Sequence, residues 1–322
     1  MENIKRQKET ILSRFSTRRS KKEKEDFRTW LIRELKKTGY TGKEESYGKY
    51  NASVNVIAGN PDQAKVFFIA HYDAPRQMLV PNFISPTNVV LHVGYHFFAA
   101  VGLFLVILLL SVGLTFLINA PQLTLPLTVI FAVAALLLSS HNFFNITDTA
   151  NDNSSGILAL LSLARRMENS QQACFVFLDN NVHDQLGAKA FQKMHPNARD
   201  KLYINFDCVG IGEHLLLIPS KYSRWDVKLL QGLKNIFSTQ TTEKFTSHIL
   251  EQGLQYYPSD HRKFKYHLAV TVCRYAAGVG YYIPNFTKRN TEDLSTDLIE
   301  QITDKVKQFF EEYNTKEDMP NE

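Results

Sequence analysis

Apolar runs that break off abruptly into polar residues recur along this chain. Residues 64–74 (AKVFFIAHYDA), 173–180 (ACFVFLDN), 201–210 (KLYINFDCVG) and 267–276 (HLAVTVCRYA) share this form. Continuous rather than alternating hydrophobicity predicts strands covered on both faces. Residues 51–60 (NASVNVIAGN) alternate instead, which predicts a half-buried strand closed by a turn at Gly59. Helical spacing appears between these runs. Residues 3–38 predict two helices with apolar stripes of Ile11, Phe15, Phe27, Trp30, Leu31 and Leu35, packed against the main domain. Residues 154–167 place Ile157, Leu160, Leu161 and Ala164 on one face, with Ser154 or Ser155 as the cap. Further helices are expected at 224–237 and, strongly amphipathic, at 296–313. Alternating strands and helices predict an α/β fold with helices on both faces of a mainly parallel sheet.

Two segments break the pattern. Residues 97–120 carry no charge, and 24 residues of helix would span about 36 Å, enough to cross a ~30 Å hydrocarbon core. Residues 123–140 form a second, shorter apolar segment with Pro126 near its start, where proline disrupts a helix least. Together they predict a two-helix transmembrane hairpin inserted into the α/β domain. The expected organisation is N-terminal helices at 1–40, a discontinuous domain at 41–86 and 144–314, the hairpin at 87–143, and a disordered tail at 315–322. The region before the hairpin is rich in Lys and Arg, while its turn (residues 120–122) has none, so both flanks are expected in the cytoplasm and the protein in the cell membrane with two spans.

Composition narrows the function classes. The net charge of +5 owes much to the first fifty residues, but the stretch RRSKKEKEDFR mixes both signs and lacks an accompanying pattern of base-stacking aromatics. It reads as a solvated helix face, and nucleic acid is not an expected partner. Cys174, Cys208 and Cys273 are scattered, which argues against a disulfide framework or a thiolate zinc site and for a reducing compartment. The charged N-terminus shows no signal-peptide pattern.

The chemistry concentrates at strand ends, where open α/β sheets bind ligands. Three predicted strands end in HYD, LDNN and NFD, and Asp152 lies in TANDNSSG just before a helix. His71, Asp152 and Asp207 would supply one imidazole and two carboxylates, a donor set that suits Zn²⁺. Asp73 can accept the other imidazole proton and fix the ring. Each piece alone has an ordinary explanation, such as a helix cap at Asp152, and the joint placement carries the signal.

Taken in order, VFFIAHYDA, ANDNSSGILALLSLAR, FVFLDNNVHDQLGAKAF, INFDCVG and SDHRKF resemble the motifs of the co-catalytic dinuclear-zinc aminopeptidases. That family includes glutamate carboxypeptidases and glutaminyl cyclases. The resemblance implies a three-layer αβα fold with a mixed central sheet, interrupted here by the hairpin. It also implies two zinc ions bridged by one Asp. On this chain His71 matches the first His ligand, Asp152 the bridging Asp, Asp207 the late Asp ligand and Asp73 the carboxylate behind the His. A cis peptide is implied at Asp152–Asn153.

The departures fall on one side of that pattern. The family's general-base Glu is matched by Asn181, the adjacent ligand Glu by Val182, and the last His ligand by Asn290. An amide cannot take a proton from water at neutral pH, and valine has no lone pair for a metal. No histidine follows His267. One metal half-site is therefore complete, and the other keeps only its shared Asp. The expectation is a membrane-anchored, catalytically inactive homologue holding one zinc ion or none, with a binding or regulatory role toward a peptide or amino terminus. One alternative is an active zinc aminopeptidase in which His183, Asp184 or His261 substitutes as ligand or base; another is a purely structural scaffold without metal. By the same resemblance Tyr256 or Tyr257 would lie at the pocket rim.

Overall fold

The computed structural model describes residues 2–49, 52–74, 83–140, 150–168, 170–182, 184–238, 244–284 and 294–315. Two helices open the chain, α1 (Glu2–Arg14) and α2 (Lys21–Lys36). Ser20 and Glu23 start α2 with a reciprocal capping box. Strands β1 (Gly42–Tyr47), β2 (Ser53–Ala58) and β3 (Val66–His71) follow, then α3 (Val89–Leu117) and α4 (Thr124–Ser140). The remaining elements are α5 (Gly156–Arg166), β4 (Ala173–Leu178), α6 (Leu186–Met194), β5 (Leu202–Phe206), β6 (His214–Pro219), α7 (Val227–Phe237), β7 (Thr246–Ile249), β8 (His267–Ala276), β9 (Gly280–Tyr282) and α8 (Thr296–Thr315).

The strands form one mixed sheet in the order β1-β2-β4-β3-β5-β8-β6-β7, with β9 paired to β8. The central four, β4, β3, β5 and β8, run parallel, so their carboxyl ends share one edge. The register sets His71 opposite Leu178. The outer pairs β1–β2, β2–β4 and β6–β8 are antiparallel. Every residue of β3, β4 and β5 is buried, as their largely apolar runs require, and this includes Asn205 within β5.

Helices cover both faces. On one, Ile4, Ile11, Phe27, Leu31, Leu161, Leu233, Ile302 and Phe309 from α1, α2, α5, α7 and α8 share a core with Phe68, Phe175 and Phe206 of the sheet. On the other, Phe67, Val176 and Tyr203 pack under Phe191 of α6, with Phe264 stacked on Tyr203. The N-terminal stripe thus rests on the domain. β2 is buried along its whole length rather than on one face, because it lies between β1 and β4 with α2 and α6 packed against it. Its alternating polar residues are used internally: Asn55 Oδ1 accepts from Asp179 N, and Asn55 Nδ2 donates to Gly187 O.

That crossing leaves no room for a side chain at Gly187, where a Cβ would lie 2.2 Å from Asp179 O. Gly187→Ala is expected to destabilise the protein by about 3 kcal/mol, seen as a lowered thermal midpoint. An unchanged midpoint would contradict the packing.

The insertion between β3 and α5 is built from α3 and α4. α3 has 29 residues, and among the described residues it is the one helix long and apolar enough to cross a membrane. It exposes Phe97, Phe98, Leu109, Leu110, Phe116 and Leu117. α4 has 17 residues, short of the ~20 that a span usually takes. It packs on α3 after a short 3₁₀ turn, where the Thr115 and Thr124 hydroxyls lie 2.9 Å apart.

Candidate metal centre

Three side chains meet at the shared strand edge. β3 ends in His71, the chain leaving β5 carries Asp207, and the loop before α5 carries Asp152. His71 Nε2 lies 3.1 Å from Asp152 Oδ1 and 3.8 Å from Asp207 Oδ1. One potential ligand atom from each of the three falls within 4.8 Å of the others. On the far side of the ring, His71 Nδ1 faces Asp73, 3.2 Å from its carbonyl oxygen and 3.4 Å from Oδ1.

The polar residues around Asp152 hold the loop rather than the ligand. The Asp152–Asn153 peptide is cis. Asn153 Nδ2 donates to Phe206 O, and its Oδ1 accepts from Gly156 N and Cys208 N. Asn153 therefore caps α5, in place of the expected serine. Ser155 Oγ instead donates to Asn151 O and accepts from Val209 N, while Ser154 Oγ accepts from Arg18 Nη2. Gly156 permits this closeness, since a Cβ there would lie 2.4 Å from Phe206 O.

The positions matched to the lost carboxylates sit beside this cluster. Asn181 N donates to Asp73 Oδ1 at 3.0 Å, and Asn181 Nδ2 donates to Asp260 Oδ2 at 2.9 Å. Val182 N lies 3.5 Å from Asp73 Oδ2, and the valine is exposed. Asp184 is exposed and paired with Lys189 and Lys263, so it is not brought to the cluster. His261 is buried, stacked on Tyr257 and next to His267. Tyr257 is buried rather than at a rim, and its hydroxyl donates to Asp207 O; Tyr256 packs on His92. His183 and Asn290 lie outside the described residues.

Asp260 was not singled out by the sequence pattern, although it adjoins His261 in SDHRKF. It is fully buried, and its Oδ1 has no hydrogen-bond partner. Burial raises its pKa to about 7, against the opposing pull of His71 and the Asn181 hydrogen bond. Arg18 also escaped notice. It is wholly buried, and burial lowers its pKa to about 10 even though Asp73 and Asp152 favour its charge.

The electrostatics leave an excess of negative charge. Burial would discharge His71, but the close carboxylates of Asp152, Asp207 and Asp73 outweigh it and raise its pKa well above the usual imidazole value. Burial would likewise raise Asp207, yet the neighbouring His71 imidazole holds it below the usual carboxylate range. Asp152, also buried, is held above that range despite His71, with repulsion from Asp207 and Asp73 adding to burial. Asp207 Oδ1 has no hydrogen-bond partner. One imidazole nitrogen and two carboxylate oxygens, buried together with an orphaned oxygen, fit a divalent cation of zinc's preferences.

Residues 133–318 match the model of peptidase family M28. No curated protein matches the chain. Similar solved structures include a glutaminyl cyclase from Porphyromonas gingivalis, with TM-score 0.58 and 14% identity over 96% of this chain and 95% of that one. A Zn-dependent exopeptidase from Parabacteroides distasonis has TM-score 0.55 and 14% identity over 97% and 95% of the two chains. LapB from Legionella pneumophila has TM-score 0.55 and 13% identity over 97% of this chain and 71% of that one. At these identities the likeness is one of fold.

Proposed function

From the premise that this chain belongs to peptidase family M28, we propose that it is a membrane-anchored relative of zinc exopeptidases that has given up catalysis. It binds rather than cuts, holds at most one metal ion, and takes a peptide or amino terminus as its ligand. The observation that carries this reading is the Asn181 side chain. At the position that the family resemblance gives to a proton acceptor stands an amide, and its Nδ2 donates to Asp260. A group spent as a donor cannot deprotonate water.

His71, Asp152 and Asp207 would hold the ion, with Asp73 fixing the imidazole. A bound zinc ion would act there as a Lewis acid for a carbonyl oxygen or a terminal amine. The chain's own residues orient that centre. Asn153 ties the loop of Asp152 to the end of β5, and Asp73 receives the backbone N–H of Asn181.

The anchor is the α3–α4 pair. α3 crosses the bilayer, and α4 returns as a shorter second span, so the two flanking parts of the domain lie on one side, the cytoplasmic one. The exposed apolar surface of α3 far exceeds what a soluble helix tolerates. On this reading residues 87–143 are an insert in a domain made of 41–86 and 144–314.

A second reading has one observation behind it. Asp260, with a pKa of about 7 and one oxygen unpartnered, is suited to proton transfer at neutral pH. It would make the chain an active zinc hydrolase with a relocated base.

The deciding experiment counts zinc per chain in the purified full-length protein and assays aminoacyl-anilide hydrolysis. One ion or none, with no turnover, is expected. Two ions with chelator-sensitive turnover would sink the non-catalytic reading, and loss of that turnover in Asp260→Asn would establish the second. His71→Ala should abolish zinc retention, while Asp73→Asn should weaken it about 10–100-fold. Wild-type retention in both variants would remove these residues from the site.

A further inference from the structure

A cavity of about 850 Å³ opens beside the domain's second core, between the turn after β6 and residues 253–267. Its wall carries six cations, Arg199, Lys221, Arg224, Arg262, Lys263 and Lys265, and no Asp or Glu among the described residues. The chain as a whole has 37 basic and 32 acidic residues, so this wall departs from the mixed surface elsewhere. Lys263 and Lys265 are partly neutralised by Asp184 and Asp200. The other four make no ion pair among the described residues. Such a surface repels itself unless an anion occupies it.

Two residues of the same wall hold buried nitrogens without hydrogen-bond partners among the described residues. His261 is 3% exposed, and its Nδ1 has no hydrogen-bond partner. Arg224 Nε is also without one. Neither group takes part in the candidate metal centre. A ligand rich in anionic oxygens would neutralise the four cations.

The cavity's location indicates where that ligand comes from. Tyr256, on its wall, packs on His92 in the first turn of α3 with ring centroids 5.1 Å apart. Tyr256 N donates to Pro86 O just before that helix. The cavity therefore adjoins the entry of α3, among the described residues the one helix long and apolar enough to cross a membrane. At its edge Leu254 is 75% exposed, and Trp225, next to Arg224, is 85% exposed. Aromatic and aliphatic side chains among cations mark the depth of lipid headgroups.

We propose that this cavity binds the phosphate-bearing headgroup of an anionic lipid. The proposal rests on the membrane reading above, and two separate measurements keep the two apart. Flotation of the full chain with neutral phosphatidylcholine vesicles tests the anchor, and failure to float would refute the anchor by itself. Headgroup binding is then measured on the detergent-solubilised full chain. Short-chain phosphatidylinositol phosphate and short-chain phosphatidylcholine are titrated against Trp225 fluorescence in a Trp30→Phe background.

The phosphorylated lipid should perturb Trp225, and phosphatidylcholine should not. Arg199 and Arg262 are exposed, so their double reversal (R199E/R262E) leaves the core intact. It should weaken binding roughly tenfold or more. The remote reversal of exposed Lys5 and Lys22 (K5E/K22E), equal in net charge, should leave it unchanged. Equal effects of the two reversals, or no preference for the phosphorylated lipid, would overturn the proposal. Inorganic phosphate or glycerol phosphate saturating the site as tightly as the lipid would overturn the lipid as its source.

Discussion

Replacing Arg18 with methionine is expected to cost about 3–5 kcal/mol of stability, one of the largest single losses available outside the sheet. The guanidinium is fully buried between the N-terminal helices and the candidate metal centre. Its Nε donates to Tyr72 O, Nη1 to Phe15 O and Nη2 to Ser154 Oγ, and the group lies over the Phe27 ring at 5.1 Å. Methionine fills similar volume but leaves those acceptors without donors in a dry interior. It also removes the buried cation that Asp73 and Asp152 face. Lysine would keep a charge yet lose the planar fork, so Arg18→Lys should recover only part of the loss. Thermal melts of the detergent-solubilised chain would read the cost as a drop of about 5–8 °C. Excess zinc should restore more of that drop in the methionine variant than it adds to wild type, because a bound cation replaces the missing charge. A change under ~2 °C would show that Arg18 is not what ties the arm to the site.

Asp260→Asn is expected to abolish a loss of stability between about pH 4 and pH 7. In the fold the carboxyl keeps its proton up to about 7, whereas in the unfolded chain it ionises near the ordinary aspartate value of ~3.9. Below pH ~4 both states are protonated and folding carries no penalty from this group. As pH rises toward 7 only the unfolded state releases its proton, so stability falls, and above about 7 the penalty is constant. Three pH units set its ceiling at about 4 kcal/mol. Asparagine resembles the protonated acid and can still accept from Asn181 Nδ2. In chelator-treated protein the variant should therefore be more stable at pH 8 than wild type by about 2–4 kcal/mol, with little difference at pH 4. Equal pH profiles for the two proteins would show that Asp260 ionises normally in the fold.

The central strands were legible because burial on both faces disfavours polar residues, and the runs ending at His71, Leu178 and Phe206 are apolar apart from Asn205 and His71 itself. β2 was misjudged for a related reason. Ser53 and Asn55 look outward-facing in sequence, yet both are buried, and Asn55 bonds to Asp179 N and Gly187 O. Short edge strands such as β7 and β9 carry no comparable pattern, since their register comes from neighbours distant in sequence. At the site, His71, Asp152 and Asp207 were readable from strand ends and motif order. Asn153's capping role was hidden by the serines after it, which are better caps by residue type. Asp260 and Arg18 were hidden more deeply. An acid before a histidine and an arginine between two helices look like surface residues, and only the packing of distant segments buries them.

The placement of α3 and α4 also bears on the order in which the molecule is made. β3 with His71 leaves the ribosome before the apolar pair, and Asp152 and Asp207 follow it. The parallel pairings of β3 with β4 and β5 require both sides of that interruption to meet at one sheet edge. The first donor must wait, unpaired, until the helices have been disposed of and the rest of the sheet has been synthesised. A chain in which the two sides fail to meet presents His71 without Asp152 and Asp207 beside it. The assembled trio of His71, Asp152 and Asp207 is thus a record that both sides of the interruption have met, readable in the finished sheet.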